Sequence, residues 1–219
     1  MSAPNLSARL LHSPGESDGA AQTFDTVLDA IAGAERSIAM HMYVWRSDEI
    51  GNRVGAALLA AAERGVQIRI IKDLGAMMFE RIEMNRKSYL PREPGPGSRL
   101  WWSLIRPTFP KTYVEDEFEN GAGRALAEHP NVEIVWAEGT HTHTKYYLID
   151  DRHLITGSIN IEDRHRGYFD YMVSVQGDDL GDHFRARESG TDPPDFEREV
   201  ELVFNQTMGG EKRFEIKPL

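Results

Sequence analysis

His143-Thr144-Lys145, Asp150 and Gly157-Ser158-Ile159-Asn160 bring an imidazole, an ammonium, a carboxylate, a hydroxyl and an amide into one short segment. These groups suit phosphate chemistry. A neutral imidazole attacks an anionic phosphodiester without the repulsion that an anionic nucleophile meets. An ammonium and neutral N–H or O–H donors stabilise charge on the phosphoryl oxygens. None of these side chains needs a metal for that work. The segment occurs once in 219 residues, so a reaction that needs two such histidines finds one here.

The elements that must position these groups follow from periodicity. Phe24, Val27, Leu28 and Ile31 recur at helical spacing and predict an amphipathic helix over 21–34. Residues 37–45 read as a largely buried strand. Ser47-Asp48-Glu49 puts a hydroxyl and two acids at the start of a second helix, and Gly65 supplies its left-handed end. A second strand over 66–72 follows, and the helical crossover suits parallel pairing. Short strands are expected over 132–136, 146–150, 153–156 and 168–175, with a turn at Asp151-Arg152. Phe196, Val200, Val203 and Phe204 suggest a last helix. Between 75 and 130 the pattern is less regular: a helix over 77–87, a Pro/Gly loop over 91–97 and an acidic helix over 114–128. These readings give a flexible tail over 1–20, one domain over 21–208 and a second tail over 209–219.

Hydrophobic residues make up 40% and charged residues 27%, an ordinary globular composition. The formal net charge of -10 opposes non-specific duplex binding, which uses basic surfaces. With no cysteine, the chain has no disulfides, thiolate metal sites or cysteine nucleophile. No stretch reaches the length of a membrane span, and the first residues lack a signal-peptide core. A cytoplasmic location, with peripheral contact at a membrane, is the expectation.

The segment from His143 to Asn160 resembles the HKD signature of the phospholipase D superfamily at His143, Lys145, Asp150, Gly157, Ser158 and Asn160. Tyr43-Val44-Trp45, Asp48-Glu49-Ile50-Gly51 and the stretch from Ala62 to Arg69 resemble the first half of cardiolipin-synthase-like members. The resemblance implies an α/β fold, a mixed sheet with helices packed on both faces. It implies a histidine that attacks phosphorus, giving a phosphohistidine, and a second histidine that protonates the leaving oxygen. His143 is the candidate for one of these roles. Lys145 would carry charge for the phosphoryl oxygens, Asn160 and Ser158 would donate hydrogen bonds, and Gly157 would let the backbone turn them inward. In related enzymes an acid on the next strand orients the histidine. Asp170 stands in that register, and a carboxylate amid Tyr, Phe, Met and Val is anomalous for a core strand. Glu162 and Asp163 are rivals. Asp150 is expected to be structural, fixing the turn after its strand.

Other features have plainer readings. His12, His129, His165 and His183 read as structural, and His41 as a core residue of the first strand. His141-Thr142-His143 is not expected to bind metal, because no carboxylate–histidine continuation follows and Lys145 repels a cation. No cofactor is expected. Gly121-Ala122-Gly123 lacks the ending of a phosphate-binding loop. Trp101 and Trp102 are candidates for a lip that receives an acyl chain or a base, with a packed loop anchor as the plain alternative.

Three functions compete: hydrolysis or phosphatidyl transfer on a phospholipid, a single-motif dimeric nuclease, and an inactive half of a two-motif enzyme. The chain ends about where a second half begins in two-motif members. A symmetric homodimer or a separate second half is therefore the expected partner, and nucleic acid is the less favoured substrate.

Overall fold

The computed structural model describes residues 7–11, 19–73, 76, 80, 88–90, 120–137, 143–164, 170–178, 180–181, 200–204 and 214–218. The order is β1 (Ser7–Leu10), α1 (Gly19–Ala32), β2 (Ser37–Met42), α2 (Glu49–Glu63), β3 (Gln67–Asp73), α3 (Gly121–Ala127), β4 (Val132–Ala137), β5 (Tyr146–Ile149), β6 (His153–Gly157), β7 (Met172–Gln176), β8 (Val200–Phe204) and β9 (Phe214–Pro218). The first seven strands form one sheet in the order β1-β7-β6-β5-β2-β3-β4. β2, β3 and β4 run parallel, joined through α2 and through the segment carrying α3, and the remaining pairs are antiparallel. This is the expected mixed α/β sheet.

Amphipathic spacing places the core. α2 buries Ile50, Val54, Leu58, Ala61 and Ala62, one stripe at helical period. α1 buries Phe24, Val27 and Ile31 beside it. α1 contacts α2 and α2 contacts α3, so the described helices make one continuous layer. Under it lie Ile38, Met40 and Met42 of β2, Ile68 and Ile70 of β3, and Tyr147 and Ile149 of β5. Tyr146, Leu148 and Val173 alternate with these toward the other face and are buried as well. A sheet covered on both faces follows, although the described helices all belong to one layer.

The helix ends behave as their residues dictate. Asp48 caps α2, its carboxylate accepting from Gly51 N at 3.0 Å. Gly65 follows α2 with φ at 96°, a conformation that costs glycine nothing. Asn120 caps α3 by accepting from Gly123 N, so Gly121-Ala122-Gly123 opens a helix. The expected acidic helix is described from 121 onward, and 114–119 lie outside the described residues. Of the helix expected over 77–87, Glu80 is helical, as is Ala76 just before it. The other residues of that span, and the loop over 91–97, lie outside the description.

Four expectations need correction. The last helix is instead a strand over 200–204, antiparallel to β9. The apolar residues of Phe214-Glu215-Ile216-Lys217 alternate with polar ones, a period of two that fits a hairpin partner. That strand falls inside the expected C-terminal tail. β1, inside the expected N-terminal tail, pairs with β7, and α1 already begins at Gly19. Of the strand expected from 168, residues 168–169 lie outside the described residues, and β7 begins at Met172, with Asp170 and Tyr171 ahead of it.

Asp150 locks the sheet to the α1–β2 connection. Its carboxylate accepts from Glu35 N at 3.0 Å, Arg36 N at 2.7 Å and Ser37 N at 2.9 Å. The Arg36 guanidinium donates to its carbonyl at 2.8 Å, and Asp150 N donates to Ser37 O at 2.8 Å. Asp150 itself has φ at 52°, which an Asx side chain tolerates. Burial pushes its pKa up, and the three N–H donors with Arg36 more than reverse this, so it lies below the ordinary 3.8. Asp150→Asn keeps the turn and removes the charge. We expect it to lower unfolding stability by roughly 1.5–3 kcal/mol near neutral pH. Because the folded pKa is depressed, the wild-type advantage is full above pH 3.8 and closes as pH falls through the folded value. Urea midpoints of the two proteins from pH 7 to pH 2.5 check this.

Candidate active site

The ends of β2, β3 and β5 and the segment after β6 meet at one corner of the sheet. His143 and Lys145 precede β5. Lys145 is 1% exposed, whereas His143 is exposed. The Lys145 ammonium lies 3.1 Å from His143 Nδ1 and 3.4 Å from Nε2, and it donates to the His143 carbonyl at 3.0 Å. Thr156 Oγ1 donates to Lys145 O at 2.8 Å and ties this approach to β6. The His143 ring packs on Tyr43, centroids 4.5 Å apart and tilted by 56°.

Asn160 is buried, and its Oδ1 accepts from Val44 N at 3.3 Å. That bond fixes the amide and aims its NH2 group away from Val44. Gly157 is needed for close approach: a Cβ there would meet Tyr171 O at 2.1 Å and Met172 Cα at 2.8 Å. Ser158 differs from expectation. Its hydroxyl accepts from Tyr171 N at 3.0 Å and is 3.4 Å from Tyr171 O, while Ser158 N donates to Tyr171 O at 2.9 Å. In this arrangement Ser158 clamps the backbone beside Asp170.

Asp170 is partly buried at the same corner, and its negative charge favours the protonated forms of both His143 and Lys145. Its rivals have other work. Asp163 accepts from Glu49 N and Ile50 N at 3.1 Å each, at the positive end of α2. Glu162 pairs with Arg46 at 2.6 Å, both side chains 1% exposed. Trp101 and Trp102 lie outside the described residues, as do His12, His141, His165 and His183. His129 accepts from Asn131 N at 3.2 Å, a structural bond. His41 is buried in β2, with its ring edge toward Tyr146. Among the described residues no three acids or histidines are grouped to hold a metal.

Sequence reasoning passed over the charged floor of the corner. Lys72 and Glu80, both 0% exposed, pair at 2.6 Å. Lys72 also donates to Tyr43 O, Glu80 accepts from Trp45 N at 2.6 Å, and Arg46 donates to Glu80 O at 3.2 Å. Asp73 is fully buried, accepts from Ala76 N at 2.8 Å, and adds a second negative field at His143. Lys72-Asp73 at the end of an apolar strand and Arg46 after Trp45 show the same anomaly that singled out Asp170.

This electrostatic balance sets the protonation states. Burial, then the neighbouring Lys145 charge, lowers the His143 pKa below its ordinary 6.5, against the opposing fields of Asp170 and Asp73. Burial lowers Lys145 to about 8, against Asp170 and Glu162. At neutral pH the corner holds a neutral imidazole beside an ammonium.

Residues 27–187 match the family described as "Cardiolipin synthase, PLD-like domain". The chain belongs to that family. Its PLD-like domain is 28% identical over 149 residues to cardiolipin synthase 1 of Bacillus anthracis, covering 67% of this chain and 23% of that protein. It is 26% identical over 167 residues to cardiolipin synthase B of Salmonella typhi, covering 74% of this chain and 34% of that protein. The chain therefore spans about a quarter to a third of these relatives. The phosphatidylserine synthase structure from Haemophilus influenzae shares the fold, with a TM-score of 0.50 and 14% identity, over 87% of this chain and 39% of that one. No described helix of the PLD-like domain is long and apolar enough to cross a membrane.

Asp170→Asn removes a negative charge that favours both protonated forms. We expect the His143 and Lys145 titrations both to move to lower pH, with Lys145 falling below about 8. Side-chain nitrogen NMR titration of the two residues reads this directly, and an unmoved pair would place Asp170 away from the corner.

Proposed function

We propose that this domain cleaves or transfers phosphodiesters through a phosphohistidine at His143, on a phospholipid substrate, with a second His–Lys pair supplied by another copy or another half. The observation that carries the reading is the His143 imidazole 3.1 Å from the buried Lys145 ammonium, with the buried Asn160 amide fixed nearby.

The reaction balances as follows. A ring nitrogen of His143 attacks phosphorus and the P–O bond to the leaving group breaks. The departing oxygen takes a proton from the second histidine, which becomes neutral. That histidine then takes a proton from water or an alcohol, whose oxygen attacks phosphorus as the P–N bond breaks. Water gives hydrolysis and an alcohol gives transfer. Lys145 and the Asn160 amide meet the charge on the phosphoryl oxygens. Ser158 supports the site by clamping Tyr171 beside Asp170, and Gly157 permits that clamp.

The cardiolipin synthase names of the relatives favour a phospholipid. The net charge of -10 works against a long polyanion such as nucleic acid. The exposed side of His143 is where a second half would close the site.

Turnover of bis(p-nitrophenyl) phosphate, together with the solution mass by light scattering, tests the reading. We expect wild-type activity in a dimeric fraction and a loss of about 10²–10⁴-fold in His143→Ala. Equal turnover by both proteins would remove His143 from the chemistry, and a monomeric, inactive wild type would point to a missing separate half. Faster cleavage of single-stranded DNA than of phosphatidylglycerol vesicles would favour the nuclease reading.

The attacking His143 must be neutral, so kcat/KM falls on the acid side of a pKa below 6.5. The second histidine must be protonated and Lys145 charged, so kcat/KM falls as pH rises through the pKa of that histidine and, for Lys145, through about 8. A profile still rising at pH 9.5 would contradict the role given to Lys145.

A further inference from the structure

We propose that Tyr43 is a positioning residue: its ring holds His143 and Lys145 in their working arrangement, and the Lys72–Glu80 pair holds Tyr43. The inference rests on the phosphodiester reading above.

The geometry runs from the buried floor upward. The Lys72 ammonium reaches Glu80 Oε1 at 2.6 Å and donates to the Tyr43 carbonyl. The same Glu80 oxygen accepts from Trp45 N at 2.6 Å. Two bonds from one buried ion pair therefore fix the backbone on either side of Val44. Neither Lys72 nor Glu80 belongs to the HKD segment. Val44 N holds the Asn160 amide, Ile161 N donates to Val44 O at 3.1 Å, and Arg46 N donates to Ile161 O at 3.0 Å. The strap over 43–46 is thus anchored below by the ion pair and beside by 160–161.

From that strap the Tyr43 ring meets both reacting groups. It packs on the His143 imidazole at 4.5 Å between centroids, and the Lys145 ammonium lies 5.3 Å from its centroid. The second distance places the cation within reach of an aromatic quadrupole. His143 is otherwise an exposed side chain ahead of a strand, with rotamer freedom that the ring contact restricts. The ring also excludes water from one side of both groups, in keeping with burial as the first cause of their lowered pKa values. The Tyr43 hydroxyl is not the acting group. Burial, with the fields of Asp73 and Glu80, raises its pKa, so it stays protonated and is no base. The aromatic face does the positioning.

Three substitutions separate the ring from bulk and from the hydroxyl: Tyr43→Phe, Tyr43→Leu and Tyr43→Met. We expect kcat for bis(p-nitrophenyl) phosphate to fall roughly tenfold in Leu and Met, with KM changed less than about twofold. Phe should restore most of the lost turnover. In the same proteins the His143 titration, read by side-chain nitrogen NMR, should move up toward 6.5 in Leu and Met and stay near wild type in Phe. The proposal is overturned by an unmoved His143 titration in Leu and Met, or by a loss in Phe equal to that in Leu. Met serves if Leu does not fold. The NMR titration needs no turnover, so a wild type without activity would count against the functional reading while leaving this one measurable.

Discussion

The ion pairs Lys72–Glu80 and Arg46–Glu162 sit fully out of water, and that condition constrains everything above them. An ionised group moved into a low-dielectric interior is costly unless opposite charge and hydrogen bonds meet it closely. Arg46, Lys72, Asp73, Glu80, Lys145 and Glu162 are each at most 1% exposed. The pairs satisfy themselves by reaching backbone: Glu80 takes Trp45 N, Lys72 takes Tyr43 O and Arg46 takes Glu80 O. A short loop after β2 is thereby held as firmly as a strand. Such pairs are weak evidence for net stability, because apolar residues of the same volume often do as well. Their use here is geometric, since apolar side chains would leave those backbone groups unmet.

Lys145 stands apart from this arrangement. Among the described residues, no carboxylate lies within ion-pair distance of its ammonium, which is met by the His143 ring and carbonyl. These are neutral acceptors, and Asp170 and Glu162 act on it as more distant fields. Burial is the first cause of its pKa near 8, and the fields of Asp170 and Glu162 offset that burial only in part. On the proposed reading, an entering phosphodiester would bring negative charge to Lys145. Binding then favours the charged lysine, and a buried cation that costs stability in the empty site becomes an affinity term in the filled one. A direct carboxylate partner would give a more stable lysine and a poorer phosphate site.

Much of this was legible in the sequence, for identifiable reasons. The sheet strands β2, β3, β4, β5 and β6 and the helix α2 were readable because apolar periodicity and capping residues agree there, as at Asp48 and Gly65. The structural use of Asp150 was expected, but not its partners, since three N–H groups more than a hundred residues away leave no local trace. The strand at 200–204 was misread because Val200, Val203 and Phe204 satisfy helical spacing as well as strand composition, and its hairpin partner lay in a segment taken as tail. The bonds of Ser158 to Tyr171 come from tertiary pairing, which leaves no trace in the local sequence. The floor of ion pairs was missed for the same reason. Arg46, Lys72 and Glu80 look like surface charges one at a time, and only the fold brings them together.

The single motif takes a physical form at this corner. Lys145 and Asn160 are withdrawn into the chain, while His143, between the Tyr43 ring and solvent, remains exposed. If His143 is the nucleophile proposed above, its exposed side would leave an intermediate open to water. In that reading a covering surface would favour transfer over hydrolysis and could carry the second histidine. Two like copies, each at -10, repel at long range, but this repulsion is screened beyond about 8 Å at physiological salt. Near the corner the sign is different, because Lys145 is cationic and, among the described residues, no carboxylate contacts it. In the proposed two-copy site, two such lysines facing one another would repel until an anion lay between them. Substrate and partner would then be thermodynamically linked, a phosphodiester between two ammonium groups tightening the pair.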